Sequence, residues 1–332
     1  MPNIFDVAAA AGVSHQTVSR FLKGDQSVRP QTRERIEEAV ARLGYRPNAA
    51  ARALASRRTR TIGLVTVGLP LYGPSSTTSG FNHAARAAGW DVSIAALEQT
   101  GSDEVRHAVD GLLGQDVQAL VVVAPTPEVA DALAGLDLPV PLVTTVPSGI
   151  PGAVTAGIDH AAAAALAVGH LADLGHREIV HVAGPEDWIE ARERERGWRE
   201  ECARRGLPVP AVLRGDWTAE GGAAIGRRLA AEGAPGAIFS ANDQTALGLL
   251  SAFSEAGVAV PGDVSVVGFD DIPEAAFFVP PLTTVRQDFA ALGQRLMHRL
   301  AALLSDDAEP DDAAPLPAEL VLRASTRPAG PA

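Results

Sequence analysis

Cysteine is almost missing from these 332 residues: Cys202 stands alone, which rules out an internal disulfide and any cysteine-based metal cluster. A lone thiol fits a reducing compartment. No apolar run approaches the roughly 20 residues that cross a bilayer, and the N-terminus lacks a signal-peptide h-region. The expectation is a cytoplasmic chain without a membrane partner. Enzyme signatures are missing as well: there is no GxGxxG after the first probable strand, no P-loop, no GxSxG and no HExxH. Basic charge is scarce, but unevenly so. Residues 61–332 hold 17 Lys and Arg against 35 Asp and Glu, whereas residues 1–60 hold 11 against 5. A globally acidic chain with a basic opening segment has gathered its phosphate-binding charge in one place.

That basic segment carries the densest pattern in the chain. Residues 3–22 read as two short helices joined by a glycine turn. Asn3 can cap the first helix with Asp6 answering it, and Gly12 supplies the positive φ of a tight corner. Ser14 is a natural N-cap for a second helix ending near Leu22. Val18, Phe21 and Leu22 fall on its inner face, while His15, Gln16, Ser19 and Arg20 form an outward polar face. Gln and Arg on a short exposed helix suit bidentate hydrogen bonding to base edges in the major groove. Residues 32–43 make a third amphipathic helix, with Ile36, Val40 and Leu43 closing a small core, and Gly44 stops it. The pattern is a DNA-binding helix-turn-helix.

Residues 48–61 are rich in alanine and arginine, with Leu54 as one large apolar side chain. From composition alone a charged linker and a functional helix are equally open. Small residues would let two such helices from two subunits pack closely, leaving Leu54 free to wedge between base steps in the minor groove.

From residue 61 short apolar runs alternate with helical segments. The predicted strands are Ile62–Val67, Val92–Ala96, Ala119–Val123, Leu142–Thr145, Ile179–Ala183, Ala237–Ser240 and Val264–Phe269, with a last one at Glu319–Arg323. Helical segments cover 102–115, 161–174, 191–205, 218–231 and 243–256. This alternation implies an α/β fold with parallel sheets covered on both faces. Ligands of such sheets bind at the carboxyl ends of strands. Asn242 and Asp243 follow one strand, Asp270 and Asp271 another; Trp217 follows a short run ending at Arg214, and Arg194 lies near a helix start. Carboxylate and amide oxygens that accept, Arg and Asn that donate, and a flat aromatic suit a small sugar. Duller readings stand beside these: Asp243 as a helix cap, Asp271 pointing away from its neighbour, Trp198 as core, and His181 as a satisfied core histidine.

The stretch DVAAAAGVSHQTVSRFL, followed by TRERIEEAVARLGYRPNAAARALA, resembles the DNA-binding head and hinge helix of the LacI/GalR family of transcriptional regulators. The segments LYGPS, GDW, ANDQTALG, DVSVVGFDD and FVPPLTTVRQDFAALGQ resemble its lactose repressor branch. The resemblance implies a helix-turn-helix head over residues 1–46, a hinge helix and linker over 47–60, and a two-lobed periplasmic-binding-protein-like core over 61–328. The core chain would cross between doubly wound lobes near 157–160, 286–289 and 314–317.

By the same resemblance His15, Gln16 and Arg20 read bases, and Ser14, Thr17, Ser19 and Asn48 contact the DNA backbone. Leu54, with Ala55 beside it, enters the minor groove. Pro74, Ser75, Arg194, Trp217, Asn242, Asp270, Gln287 and Phe289 form the effector-binding set. The chain departs from that branch at Thr144-Thr145, where an aspartate is expected, at Glu190, which replaces a serine, and at Trp188, an added aromatic. A leucine-heptad tail is not found, so the expectation is a homodimer on a pseudo-palindromic operator, without a cofactor or a metal. The function implied is a repressor of sugar-utilisation genes, released by a galactoside-like effector and associated with the nucleoid. The alternatives are a sugar-binding protein without a regulatory role, or a carbohydrate-active enzyme using Asp270. For the latter, two adjacent acids at one strand end are poorly placed to flank a glycosidic bond.

Overall fold

The N-terminal helices begin and end where their caps dictate. In a computed structural model of the protein, α1 (Ile4–Ala11) opens on Asn3, whose side chain accepts from the Phe5 and Asp6 N–H groups while Asp6 accepts from Asn3. Two orphan donors are thus satisfied reciprocally. Gly12 turns the chain at φ 63°, a conformation that strains any residue with a Cβ. The Ser14 hydroxyl then caps α2 (His15–Leu22) by accepting from the Thr17 N–H at 3.2 Å. α3 (Pro30–Leu43) opens on its proline and stops at Gly44, φ 60°. Val7, Ala11, Val18, Ile36, Ala39 and Tyr45 are buried between the three, with Phe21, Leu22, Val40 and Leu43 packed around them.

The described residues are 2–22, 25, 27–45, 59–68, 71–98, 100–124, 126–146, 149–305 and 314–330. Met1–Arg60 and Thr61–Ala332 are separate compact units. The expected hinge helix, with Asn48, Leu54 and Ala55, lies outside the described residues.

The second unit is built from two sheets, the first parallel and the second parallel apart from one edge strand. The first contains β1 (Thr61–Val67), β2 (Asp91–Leu97), β3 (Ala119–Val123), β4 (Leu142–Thr144) and β5 (Val154–Thr155), in the order β2-β1-β3-β4-β5. Around it pack α4 (Tyr72–Ala87), α5 (Ser102–Leu113) and α6 (Pro127–Ala134). The second sheet contains β6 (Val180–Ala183), β7 (Leu213–Arg214), β8 (Ala237–Ser240), β9 (Ser265–Asp270), β10 (Thr283–Gln287) and β11 (Ala318–Val321), in the order β11-β10-β9-β8-β6-β7. Its helices are α7 (His160–Asp173), α8 (Ile189–Arg204), α9 (Ala219–Glu232) and α10 (Asp243–Ala256). The strands β3, β6 and β9 are buried along their whole length, on both faces as parallel sheets require, and are apolar but for His181 in β6 and the end residues Ser265 and Asp270 of β9.

Three connections tie the lobes. The chain leaves β5 for α7, leaves β10 for α11 (Phe289–Leu304), which packs on α4, and returns through Leu316 to β11. Leu316 bridges Ile158 in parallel, so the first and third connections run side by side.

Several elements differ from the sequence expectation. Helices α4, α6 and α11 are not among the predicted segments. In α4, YGPSSTTSGFNHAARA carries Gly, Pro, Ser and Thr where helix propensity is weak, whereas the Ala- and Leu-rich α6 and α11 carry good helix formers. Packing of α4 against α11 supplies what propensity does not. β11 ends at Val321 rather than Arg323 and pairs antiparallel with β10, since the returning chain runs back along that edge. Among the described residues, no helix is long and apolar enough to cross a membrane.

Candidate functional site

The sequence of α8 alternates Glu and Arg, and its exposed faces are laced by Arg196–Glu200 and Arg199–Glu195 pairs that contribute little to stability. Its inner stripe is Ala191, Arg194, Trp198 and Cys202, spaced three, four and four residues apart. Helical periodicity therefore carries the Arg194 guanidinium inside, where it is 3% exposed. Its Nη1 donates to the Ala241 carbonyl at 2.5 Å and its Nε to His160 Nδ1 at 3.4 Å. Its Nη2 lies 3.6 Å from Asp270 Oδ1 and 3.8 Å from Glu190 Oε2. The guanidinium sits 4.0 Å over the Phe269 ring and 5.4 Å from that of Trp217, so cation–π contacts hold it flat.

Asp270 ends β9 with φ 110°, and its Oδ1 accepts from Gln287 Nε2 at 2.6 Å. Trp217, φ 70°, meets Trp188 edge-on at 5.9 Å between centroids. The residue beneath the Trp217 ring is Gly184, where a Cβ would overlap the indole. Asn242 caps α10 by accepting from Thr245, and its Nδ2 donates to the Trp217 carbonyl.

Pro74, Gln287 and Phe289 line a cavity of about 420 Å³ at the strand ends, together with Thr77, Thr145, Thr155, His160, Glu190, Glu193 and Arg196. Arg194 and Asp270 adjoin it through Glu190 and Gln287. Trp217 and Asn242 are buried and outside the lining, Trp217 against Arg194 and Asn242 bonded to the Trp217 carbonyl. Ser75 is exposed and lies outside it, because it follows Pro74 by one residue and turns about 100° around α4. His160, Glu193, Arg196 and Thr77 escaped the sequence reading. His160 did carry a signal, as the first helical residue after a predicted crossing.

The electrostatics are those of a shared, buried cation. Burial pushes the Asp270 carboxyl up to about 7, helped by Glu190 and opposed by Arg194 and Gln287. Burial likewise raises Glu190 against the pull of Arg194. His160 is held well below the usual histidine range by burial and by Arg194, so it is neutral. Three buried polar atoms of this neighbourhood have no hydrogen-bond partner among the described residues: Thr145 Oγ1, Gln287 Oε1 and Trp217 Nε1. Such groups are costly unless a ligand or water satisfies them.

Other expectations resolve around this cluster. Asp243 is not the cap of α10; Asn242 is. Asp243 is instead the first helical residue, fully buried, accepting from the Thr284 hydroxyl and the Ile272 N–H. Asp271 does turn away from Asp270, and Trp198 is core, donating to the Ile179 carbonyl. His181 is only half satisfied: Nδ1 bonds the Phe239 carbonyl, Nε2 has no partner among the described residues, and burial drops its pKa to about 4.

In the N-terminal unit, His15, Gln16 and Arg20 are exposed on α2, and Ser14 is exposed at its start with its hydroxyl 2.9 Å from that of Thr17. Thr17 and Ser19 are half-buried, so Ser19 belongs to the edge of the polar face. Phe5, 62% exposed, packs its ring 5.1 Å from that of His15, a contact the sequence did not signal. Among the described residues no cluster of His, Cys, Asp or Glu could hold a metal.

Comparison with known proteins places these features. Residues 3–48 match the bacterial regulatory proteins of the lacI family, and residues 168–326 match the periplasmic binding protein-like domain. The lactose operon repressor of Escherichia coli (strain K12) is 37% identical over 333 residues, 97% of this chain and 90% of that protein. A crystal structure of the lac repressor dimer bound to operator and the anti-inducer ONPF matches with a TM-score of 0.88 at 35% identity, covering 98% of this chain and 99% of that one. A complex of the transcriptional regulator CelR with cellobiose matches with a TM-score of 0.70 at 30% identity, covering 98% and 100%. With its capped helix-turn-helix, its two α/β lobes and relatives that are regulators rather than enzymes, the chain belongs to the LacI family of DNA-binding transcriptional regulators.

Proposed function

We propose that this chain is a homodimeric, cytoplasmic, nucleoid-associated repressor of sugar-utilisation genes, and that a small galactoside-like sugar in the cleft releases it from a pseudo-palindromic operator. The observation that carries this reading is the buried set formed by Arg194, Asp270 and Gln287 at the strand ends, with Gln287 Oε1 left free to accept. Adjacent sugar hydroxyls can donate to Asp270 and Gln287 and accept from Arg194, while Phe289 covers an apolar face and Trp217 backs the Arg194 guanidinium. Pro74 completes the wall. Relatives support the class: one is seen as a dimer on operator with ONPF, another with cellobiose.

The division of the chain follows the same reading, with residues 1–46 as DNA-binding head, 47–60 as hinge helix and 61–328 as effector and dimerisation core. Ser14, His15, Gln16, Thr17, Ser19 and Arg20 face the operator, His15, Gln16 and Arg20 reading bases; Asn48, Leu54 and Ala55 of the hinge enter the central minor groove on binding. Sugar binding favours a lobe arrangement that separates paired hinges. Such coupling is of order 1–3 kcal/mol. Fluorescence anisotropy on a family-like palindrome, with and without galactosides and glucosides, tests this. A sugar that weakens binding at micromolar to millimolar concentration supports it; operator binding indifferent to every sugar removes the cleft assignment.

A further inference from the structure

Two neighbouring aspartates close β9 with positive φ, 110° at Asp270 and 52° at Asp271, and no other adjacent non-glycine pair among the described residues does so. Such backbone persists only where surrounding contacts over-determine it. The two side chains leave the turn in different directions. Asp270 goes to Gln287 and Arg194. Asp271 accepts from Arg286 Nε and from Arg323 Nη2, each at 2.6 Å, and its side chain is 7% exposed. Arg286 and Gln287 are consecutive on β10, so each aspartate is latched to one of two neighbouring residues of the adjoining strand. Arg286 also binds Glu319 of β11 at 2.9 Å, and Arg323 follows that strand. Both strands adjoin connections between the lobes.

We propose that Asp271 is a positioning residue for the cleft: its two arginine bonds hold the strained β9 turn and thereby fix the Asp270 carboxylate against Arg194 and Gln287. Charge-assisted bonds to a nearly buried carboxylate are strong enough to define such a turn. The consequence for sugar binding rests on the function proposed above; the positioning itself does not. Arg194 and Glu190 from α8, Gln287 from β10, Asp243 from α10 and Tyr72 from α4 are charged and polar groups around Asp270, with His160 on the far side of Arg194.

The test is the titration of Asp270 in the ligand-free full chain, followed by carboxyl ¹³C NMR and assigned by the signal lost in Asp270→Asn. Asp271→Asn keeps the shape and the left-handed tolerance of the residue but removes the charge; Arg286→Gln removes one arm and leaves Asp271 intact. Loss of the Asp271 charge by itself lowers the Asp270 midpoint, whereas loss of the Arg286 charge by itself raises it. The expected and decisive result is therefore a fall in Arg286→Gln as the loosened carboxyl reaches water, beside a fall of about one pH unit in Asp271→Asn. An unchanged or raised midpoint in Arg286→Gln, with only a lower melting temperature, overturns the proposal even where Asp271→Asn shows a fall. If Asp271→Asn does not fold, Arg286→Gln decides alone by the same criterion. A parallel sugar titration should show affinity reduced about tenfold in Asp271→Asn, of order 1.4 kcal/mol. A wild-type chain that binds no sugar overturns the function proposed for the cleft and leaves the NMR result to judge Asp271.

Discussion

Arg194 and Asp270 face each other at 3.6 Å with 4% and 6% of their side chains exposed, and Glu190 competes for the same guanidinium from 3.8 Å. One buried cation thus serves two carboxylates. A buried charge that loses its partner is strongly destabilised, whereas a neutral ligand with several hydroxyls can satisfy all three groups at once. Replacing Asp270 with Ala should abolish the response to sugar while leaving a dimer that binds operator. Anisotropy titration with the cognate sugar checks this, and a variant that responds normally would remove Asp270 from the pocket.

The same burial makes stability depend on pH. The folded-state pKa of Asp270, about 7, lies above the unfolded value near 4, so its contribution is fully present below about pH 4 and is lost as pH rises towards 7. His160 and His181 are shifted downward and act in the opposite sense. Comparison with Asp270→Asn cancels their effect. The stability of the wild-type chain relative to that variant should fall between pH 5 and 7 at up to about 1.4 kcal/mol per unit. Denaturant unfolding at several pH values measures the difference, and a flat difference would place the Asp270 titration outside this window.

Gly184 should tolerate no side chain. A methyl there overlaps the Trp217 ring, which is wedged between Trp188 and Arg194. Gly184→Ala is expected to cost about 1–3 kcal/mol from overpacking and to weaken sugar binding with a changed tryptophan emission. Unaltered emission and affinity would mean that the ring position is not required.

Leu54→Ala should weaken operator binding and spare sugar affinity, since the role proposed for Leu54 is as a wedge on base steps rather than in the cleft. Paired anisotropy and sugar titrations separate the two. A parallel loss of both would refute the division of labour between hinge and core.

Phe277 and Val279 are 83% and 88% exposed at the turn before β10, apolar surface that a second copy would cover. Phe277→Asp with Val279→Asp should shift the protein towards monomer in sedimentation velocity. A dimer of undiminished strength would locate the interface elsewhere.

How far the sequence reaches can be judged from single residues. Asn3, Gly12, Ser14 and Gly44 act locally, and each caps or turns as its chemistry requires. Arg194 is reached from its place after the predicted strand Ile179–Ala183 and from the family resemblance, and the structure adds that the helical period turns it inward beside Trp198. Asp243 was misjudged against Asn242 because both are good caps and only the distant Thr284 and Ile272 decide between them. Ser75 and Pro74 differ by one step around a helix whose existence the local propensities conceal.

The sequence by itself determined the α/β alternation, the capped head and the location of the basic charge, because caps, periodicity and charge are properties of neighbours along the chain. The tertiary structure alone decided which carboxylates share Arg194, which histidines are neutral and which polar atoms are left free in the cleft. Those depend on burial and on side chains brought together from β9, β10, α7 and α8, and desolvation is set by what surrounds a group in space rather than by what adjoins it in sequence.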